Sequence, residues 1–242
     1  MQVSLGIFWT PKHGNTSEEY EDAYWPPEPL SLQSTLLRFA VADGATETSF
    51  AGSWAQILTV AYCRDQMSGK RIRKTMPDLE EEWRSAIGKQ PLPWYAEEKL
   101  SQGAFATLLG LTLFDGGWEA SAIGDSCLFQ IRGDRVITAF PMTCAGDFNN
   151  HPGLLSSDNR RWEDELETMN RTGGTWELHD EFYLMTDAMA CWFLGAIEAG
   201  QQPAEIFHHL EQPSEGFVEW IESLRKDGMR NDDVTLLKIL VE

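Results

Sequence analysis

Apolar and polar positions divide the chain into strands and helices. Val3, Leu5, Ile7 and Trp9 recur at every second position, with Phe8 on the opposite side, and predict a strand over 3–9. A polar stretch, Lys12 to Tyr20, leads into Glu21-Asp22-Ala23-Tyr24-Trp25, which Pro26, Pro27 and Pro29 close as a loop. The apolar run over 35–42 predicts a second strand that stops at Asp43-Gly44. Thr48 or Ser49 would then cap a helix. Trp54, Ile57, Leu58, Ala61 and Tyr62 carry that helix to about Gln66 at helical spacing. The basic residues of 67–76 read as a loop, and Leu79, Trp83 and Ile87 predict a second helix. Pro91 and Pro93 interrupt, and a short third helix is expected from Tyr95 to Leu100.

From Gly103 onward the pattern changes to strands. Thr107–Phe114, Trp118–Ile123, Cys127–Arg132 and Arg135–Ala139 are β-prone, with breaks at Asp115-Gly116-Gly117, Gly124-Asp125-Ser126 and Gly133-Asp134. They predict an antiparallel meander. Residues 141–175 look irregular, with a helix around Trp162–Met169. Phe182–Met185 reads as a strand that stops at Thr186-Asp187. A helical region follows through Met189, Trp192, Phe193, Ile206, Leu210, Phe217, Ile221 and Leu224, and a last strand over Val234–Val241 is preceded by Asn231-Asp232-Asp233. No repeat or linker divides the 242 residues, so one domain over 1–242 is expected.

Composition narrows the function classes. With 42% hydrophobic and 11% aromatic residues the chain can bury a large core. Thirty-eight acids against 19 bases leave a net charge of −19, which disfavours nucleic acid and anionic membrane as partners. The acids are either a solvated surface or partly a set that converges on divalent cations. Cys63, Cys127, Cys144 and Cys191 form no CxxC pair, and Cys63 and Cys127 read as core thiols. No stretch approaches the roughly 20 apolar residues of a membrane span. No basic-then-apolar leader is seen, so a soluble, cytoplasmic protein is expected.

Several acids share one setting. Asp43 and Asp187 each end a strand, Asp232 opens the last one, and Glu21-Asp22 precedes the Asp43 strand. If those strands neighbour one another in a sheet, the carboxylates cluster at one edge, which is costly without cations. Oxygen ligands without His or Cys suit Mg²⁺ or Mn²⁺. Each acid taken alone is equally a turn or cap residue, Asp43-Gly44 above all.

The order Glu21-Asp22-Ala23, Val41-Ala42-Asp43-Gly44, Gly124-Asp125-Ser126, Leu184-Met185-Thr186-Asp187 and Asp232-Asp233-Val234-Thr235 resembles the metal-dependent type 2C (PPM) serine/threonine protein phosphatases, bacterial members included. The resemblance spans about residues 14–241. It implies an α+β fold, a four-layer αββα sandwich of two antiparallel sheets flanked by helices. It also implies hydrolysis of phosphoserine and phosphothreonine in proteins by a metal-activated water, with two Mn²⁺ or Mg²⁺ ions. Asp43 is similar to the family's bridging ligand, with the Gly44 carbonyl beside it, and Asp187 and Asp232 to the other direct ligands. Glu21 and Asp22 resemble acids that bind metal-bound waters. Asp125 resembles the aspartate that in bacterial members helps hold a third metal, and is equally a hairpin-turn residue. On this resemblance Asp43, Asp187, Asp232 and Asp22 carry catalysis, residues 141–175 take the place of a flap, and the partner is a phosphoprotein opposite a Ser/Thr kinase, met by a monomer.

The chain departs from the family in places. The Arg that often precedes Glu-Asp and grips phosphate is missing, leaving Lys12 or His13 to reach in or simply to lie solvated. Asp-Gly-His-Gly-Gly becomes Asp43-Gly44-Ala45-Thr46-Glu47, and Ser-Asp-Gly becomes Thr186-Asp187-Ala188. Every direct-ligand acid is kept. Arg160, Arg161 and Arg171 either meet a phosphopeptide or offset nearby acids. Two other functions stay open: a non-catalytic module that binds phosphoproteins, and hydrolysis of a small phosphorylated molecule.

Overall fold

The computed structural model describes residues 1–45, 50–67, 71–87, 103–148, 151–158, 162–210 and 216–242. The expected cap at Thr48 or Ser49, the short helix from Tyr95 to Leu100, and Arg160 and Arg161 lie outside these residues.

Two antiparallel sheets form the centre. The first has six strands: β1 (Gln2–Thr10), β3 (Leu30–Gln33), β8 (Cys127–Arg132), β9 (Arg135–Phe140), β12 (Glu181–Met185) and β13 (Val234–Val241), in the order β3-β1-β13-β12-β8-β9. The second has five: β2 (Ala23–Trp25), β4 (Leu36–Ala42), β6 (Leu108–Phe114), β7 (Gly117–Ile123) and β11 (Asn170–Gly174), in the order β11-β7-β6-β4-β2. A small pair joins β5 (Phe105–Ala106) to β10 (Leu155–Ser156).

Side-chain alternation turns the two sheets into four layers. Phe39 and Val41 of β4 meet Phe182, Leu184, Leu237 and Ile239 of the other sheet in a buried middle core. The intervening Ala40 and Ala42 face outward onto Trp54, Ala55 and Leu58 of α1 (Ala51–Cys63). On the far side Tyr183, Met185 and Leu236 face α4 (Asp187–Glu198), α5 (Pro203–His208) and α6 (Phe217–Lys226), through Phe193, Phe207 and Phe217. The αββα sandwich is therefore present. No helix among the described residues is long and apolar enough to cross a membrane.

The structure differs from the sequence reading in four places. Helix α2 runs Arg71–Ile87, so the expected loop over 67–76 is partly helix. Its buried side begins with Ile72 and Met76, and its Arg and Lys form the solvated face. The Pro-rich loop is flanked by two short strands, β2 and β3. The irregular stretch over 141–175 holds, besides α3 (Trp162–Glu167), the edge strand β11, whose polar, glycine-rich sequence carries no apolar alternation. Its glycines let it lie close on β7, where a Cβ on Gly174 would stand 3.0 Å from the Trp118 indole nitrogen. Finally, the expected meander is two hairpins in different sheets. β6 and β7 pair in one and β8 and β9 in the other, and Gly124-Asp125-Ser126 is the crossing between them.

Candidate metal centre

The strand-end acids meet, but not along one sheet edge. Asp43 follows β4 of the five-stranded sheet, whereas Asp187 follows β12 and Asp232 precedes β13 of the six-stranded sheet. They come together across the sandwich: Asp22, ahead of β2, bonds Thr186 and Thr235 of the other sheet, and the charges of Asp187 and Asp232 act on Asp43. Asp125, on the crossing between the sheets, joins them from a third direction.

Backbone locks fix the Asp43 segment. The Asp43 N–H donates to the Thr107 hydroxyl at 2.9 Å, and the Thr107 N–H donates back to the Asp43 carbonyl at 2.8 Å. The same hydroxyl lies 2.9 Å from that of Ser126, which ties Asp43 to the crossing that carries Asp125. Gly44 is buried, and a Cβ there would sit 2.7 Å from the Glu21 carbonyl oxygen and 2.9 Å from the Ala51 carbonyl carbon. Only glycine lets the start of α1 and the Glu21 backbone close around this position.

A second set of bonds holds Asp22, which is 5% exposed. Its Oδ2 accepts from the Thr235 hydroxyl at 2.6 Å and the Thr186 hydroxyl at 2.9 Å, while its Oδ1 has no partner. Thr235 also meets the Tyr20 hydroxyl at 2.5 Å. Asp233 accepts the backbone N–H of Lys12 at 2.8 Å and of Glu21 at 2.7 Å, and so ties both segments to the start of β13. Asp187 is the first residue of α4, where the helix N-terminus favours a carboxylate. The flanking Thr186 hydroxyl serves Asp22 instead of capping that helix.

The charges in this centre oppose one another. Burial pushes the Asp43 carboxyl well above the usual range, and Asp22, Asp187, Asp232 and Asp125 push it further. Burial likewise raises Asp22 strongly, although the Thr235 hydroxyl acts against it. Asp125 is pushed up to about 7 by burial and then by the Asp187 charge, and its buried Oδ1 is unpartnered. Burial also raises Asp187, against the pull of Arg230.

Among the described residues no group of three His, Cys, Asp or Glu side chains is assembled as a metal site. Arg230 stands in the centre instead: its Nη1 donates to Asp187 Oδ2 at 2.5 Å, and its Nη2 lies 3.2 Å from Asp232 Oδ2. The donors nevertheless fit hard divalent cations. They are all oxygens, two of them are buried without a partner, and one guanidinium faces several mutually repelling acids.

The two basic residues expected near the phosphate part company. Lys12 lines a groove of about 980 Å³ that also takes in Glu21, Asp22, Trp9 and Tyr20. His13 is turned away: its ring lies 2.8 Å from Glu222, its backbone is tied to Asn231, and its side chain is 73% exposed. Arg171 sits exposed on β11. Sequence reasoning missed Thr107, Asp233 and Arg230. Asp233 and Arg230 lie within two residues of Asp232 and were within reach, whereas Thr107 carried no local signal.

The sequence profile of the family described as Protein phosphatase 2C matches residues 13–238. Among curated protein sequences none matches the chain. Solved structures with the same fold include the Mycobacterium tuberculosis serine/threonine phosphatase PstP/Ppp, at a TM-score of 0.58 and 16% identity over 100% of both chains. The catalytic domain of PstP in complex with two manganese ions aligns at a TM-score of 0.55 and 16% identity, covering 99% of this chain and 100% of that one. Serine/threonine phosphatase Stp1 from Staphylococcus aureus aligns at 0.61 and 12% identity, covering 98% and 94%. At these identities the likeness is one of fold.

Proposed function

The chain belongs to the protein phosphatase 2C family, and from that premise we propose that it hydrolyses phosphoserine and phosphothreonine in proteins with the help of two Mn²⁺ or Mg²⁺ ions. The observation that carries this reading is the convergence of Asp22, Asp43, Asp125, Asp187 and Asp232 from two facing sheets. Asp43, Asp187 and Asp232, with the Gly44 carbonyl, would be the direct ligands. Glu21 and Asp22 would stand in the outer shell, and Asp125 would help to hold a third ion. When bound, the cations supply Lewis acidity toward the phosphoryl group and lower the pKa of the attacking water. The PstP catalytic domain, which carries two manganese ions, supports that ion count.

The chain's own residues contribute rigidity. Thr107 fixes the backbone of Asp43 and Asp233 that of Glu21, while Thr186 and Thr235 hold the Asp22 carboxylate itself, so the segments that carry the acids stay in place despite their repulsion. Lys12 in the adjoining groove offers a cation to the substrate phosphate in place of the missing Arg. The reading includes an opposing Ser/Thr kinase, a monomeric state and a cytoplasmic location. The test is hydrolysis of a phosphothreonine peptide by chelator-stripped protein with and without Mn²⁺. Activity should need the metal and fall at least ~100-fold in Asp43→Asn. Equal rates in EDTA, or an unimpaired variant, would refute it. The pairing of Arg230 with two ligand acids favours one second reading, a non-catalytic phosphoprotein-binding module. Metal binding without turnover on any phosphopeptide would select it.

A further inference from the structure

We propose that Arg230 is a tethered counter-cation of the acidic centre, which a divalent ion must displace from Asp187 and Asp232, so that Arg230 sets how tightly the site takes metal. The proposal rests on these acids being the metal ligands named above.

The geometry is that of an arm reaching in from outside. The Arg230 side chain is 57% exposed, whereas those of Asp187 and Asp232 are 7% and 23% exposed. One guanidinium nitrogen binds Asp187 Oδ2 at 2.5 Å and the other lies 3.2 Å from Asp232 Oδ2, so a single planar fork spans two carboxylates. The residue belongs to the segment between α6 and β13, whose path is fixed elsewhere. Arg225 donates to the backbone carbonyls of Pro11 and Asp232 and to Glu222, and Asn231 is bound to His13. Arg225 thus supports the backbone of Asp232, while Arg230 reaches its carboxylate.

An oxygen that accepts a charged hydrogen bond has to give it up before a cation can use the same lone pairs. One positive charge between two carboxylates compensates them only in part, and a divalent ion compensates them more fully. The displaced arm is already largely in water, so little burial is lost when it swings out. Removing the guanidinium leaves Asp187 and Asp232 less compensated in the metal-free protein and removes the competitor. Both effects act in one direction, toward tighter metal binding.

The experiment is calorimetric titration of Mn²⁺ into the chelator-stripped full chain, comparing wild type with Arg230→Gln and Arg230→Lys. Arg230→Gln should bind Mn²⁺ roughly tenfold more tightly, the equivalent of one charged hydrogen bond. It should also melt at a lower temperature when metal-free. Arg230→Lys keeps the charge but not the fork and should fall between the two. Equal or weaker Mn²⁺ affinity in Arg230→Gln would overturn the proposal and leave the metal-dependent reading standing. Failure of every protein to bind Mn²⁺ would overturn both.

Discussion

Thr235 lies fully buried between Asp22 and Tyr20 and satisfies both with one hydroxyl, donating to the Asp22 carboxylate at 2.6 Å and meeting the Tyr20 hydroxyl at 2.5 Å. Valine has the same shape but neither function. Thr235→Val would leave Asp22 with one hydrogen bond instead of two and would take the Thr235 hydroxyl away from Tyr20. The expected cost is about 2–4 kcal/mol of stability, read as a shift of the urea midpoint, with Thr235→Ser close to wild type. An unchanged midpoint in the valine variant would show that the hydroxyl does not hold Asp22. This residue also marks what sequence could and could not tell. Asp43, Asp187 and Asp232 were legible because each sits where an apolar run begins or ends. The partners of Thr235 lie 213 and 215 residues away along the chain, and no local pattern carries that information. Arg230 is half such a case: it stands two residues from Asp232, which was within reach, but its bond to Asp187, 43 residues distant, has no local sign.

The crossing at Gly124-Asp125-Ser126 is the element that turns two hairpins into a sandwich with an acid at its end. Gly124 has a φ of 97°, and a Cβ there would lie 2.6 Å from the Thr107 methyl and 2.9 Å from the Gly153 carbonyl oxygen. Both the backbone conformation and the space require glycine. Gly124→Ala would push on Thr107, which binds Asp43, and on the segment that carries Asp125. The variant should lose about 2–4 kcal/mol, and its Mn²⁺ affinity should fall with it. A stable variant with weakened Mn²⁺ binding would still support the link to Thr107, whereas wild-type behaviour in both measurements would refute it. The strands on either side were legible from their alternation, and so was the turn. Which sheet each strand joins was not, because a hairpin turn and a crossing use the same Gly-Asp signal. Strand β11 escaped notice for another reason: backbone pairing and close glycine contacts hold it, not an apolar face.

At the scale of the whole molecule, acids held at raised pKa make metal and pH two readouts of one balance. Burial and neighbouring charge push Asp125 up to about 7, and Asp22 and Asp43 are raised as well. In the unfolded chain such carboxyls titrate at about 4. Between those values the folded protein binds more protons than the unfolded one. The stability from holding these acids neutral is complete below the unfolded pKa and is lost as pH rises through the folded one. Asp147, held down to about 2 by backbone N–H groups, works in the opposite sense, but its window lies below pH 4 and does not overlap. Chelator-stripped protein should therefore melt at a falling temperature as pH goes from 5.5 to 8, by roughly 5 °C or more for a chain of this size. Mn²⁺ binds the ionised form and offsets the repulsion, so its stabilisation should grow over the same interval and flatten the profile. Asp125→Asn, which cannot ionise, should make the stripped profile shallower. A melting temperature in EDTA that stays level or rises between pH 5.5 and 8 would mean that the folded protein already carries these acids ionised, compensated by Arg230 and solvent alone, and that metal is not what the centre is built to receive.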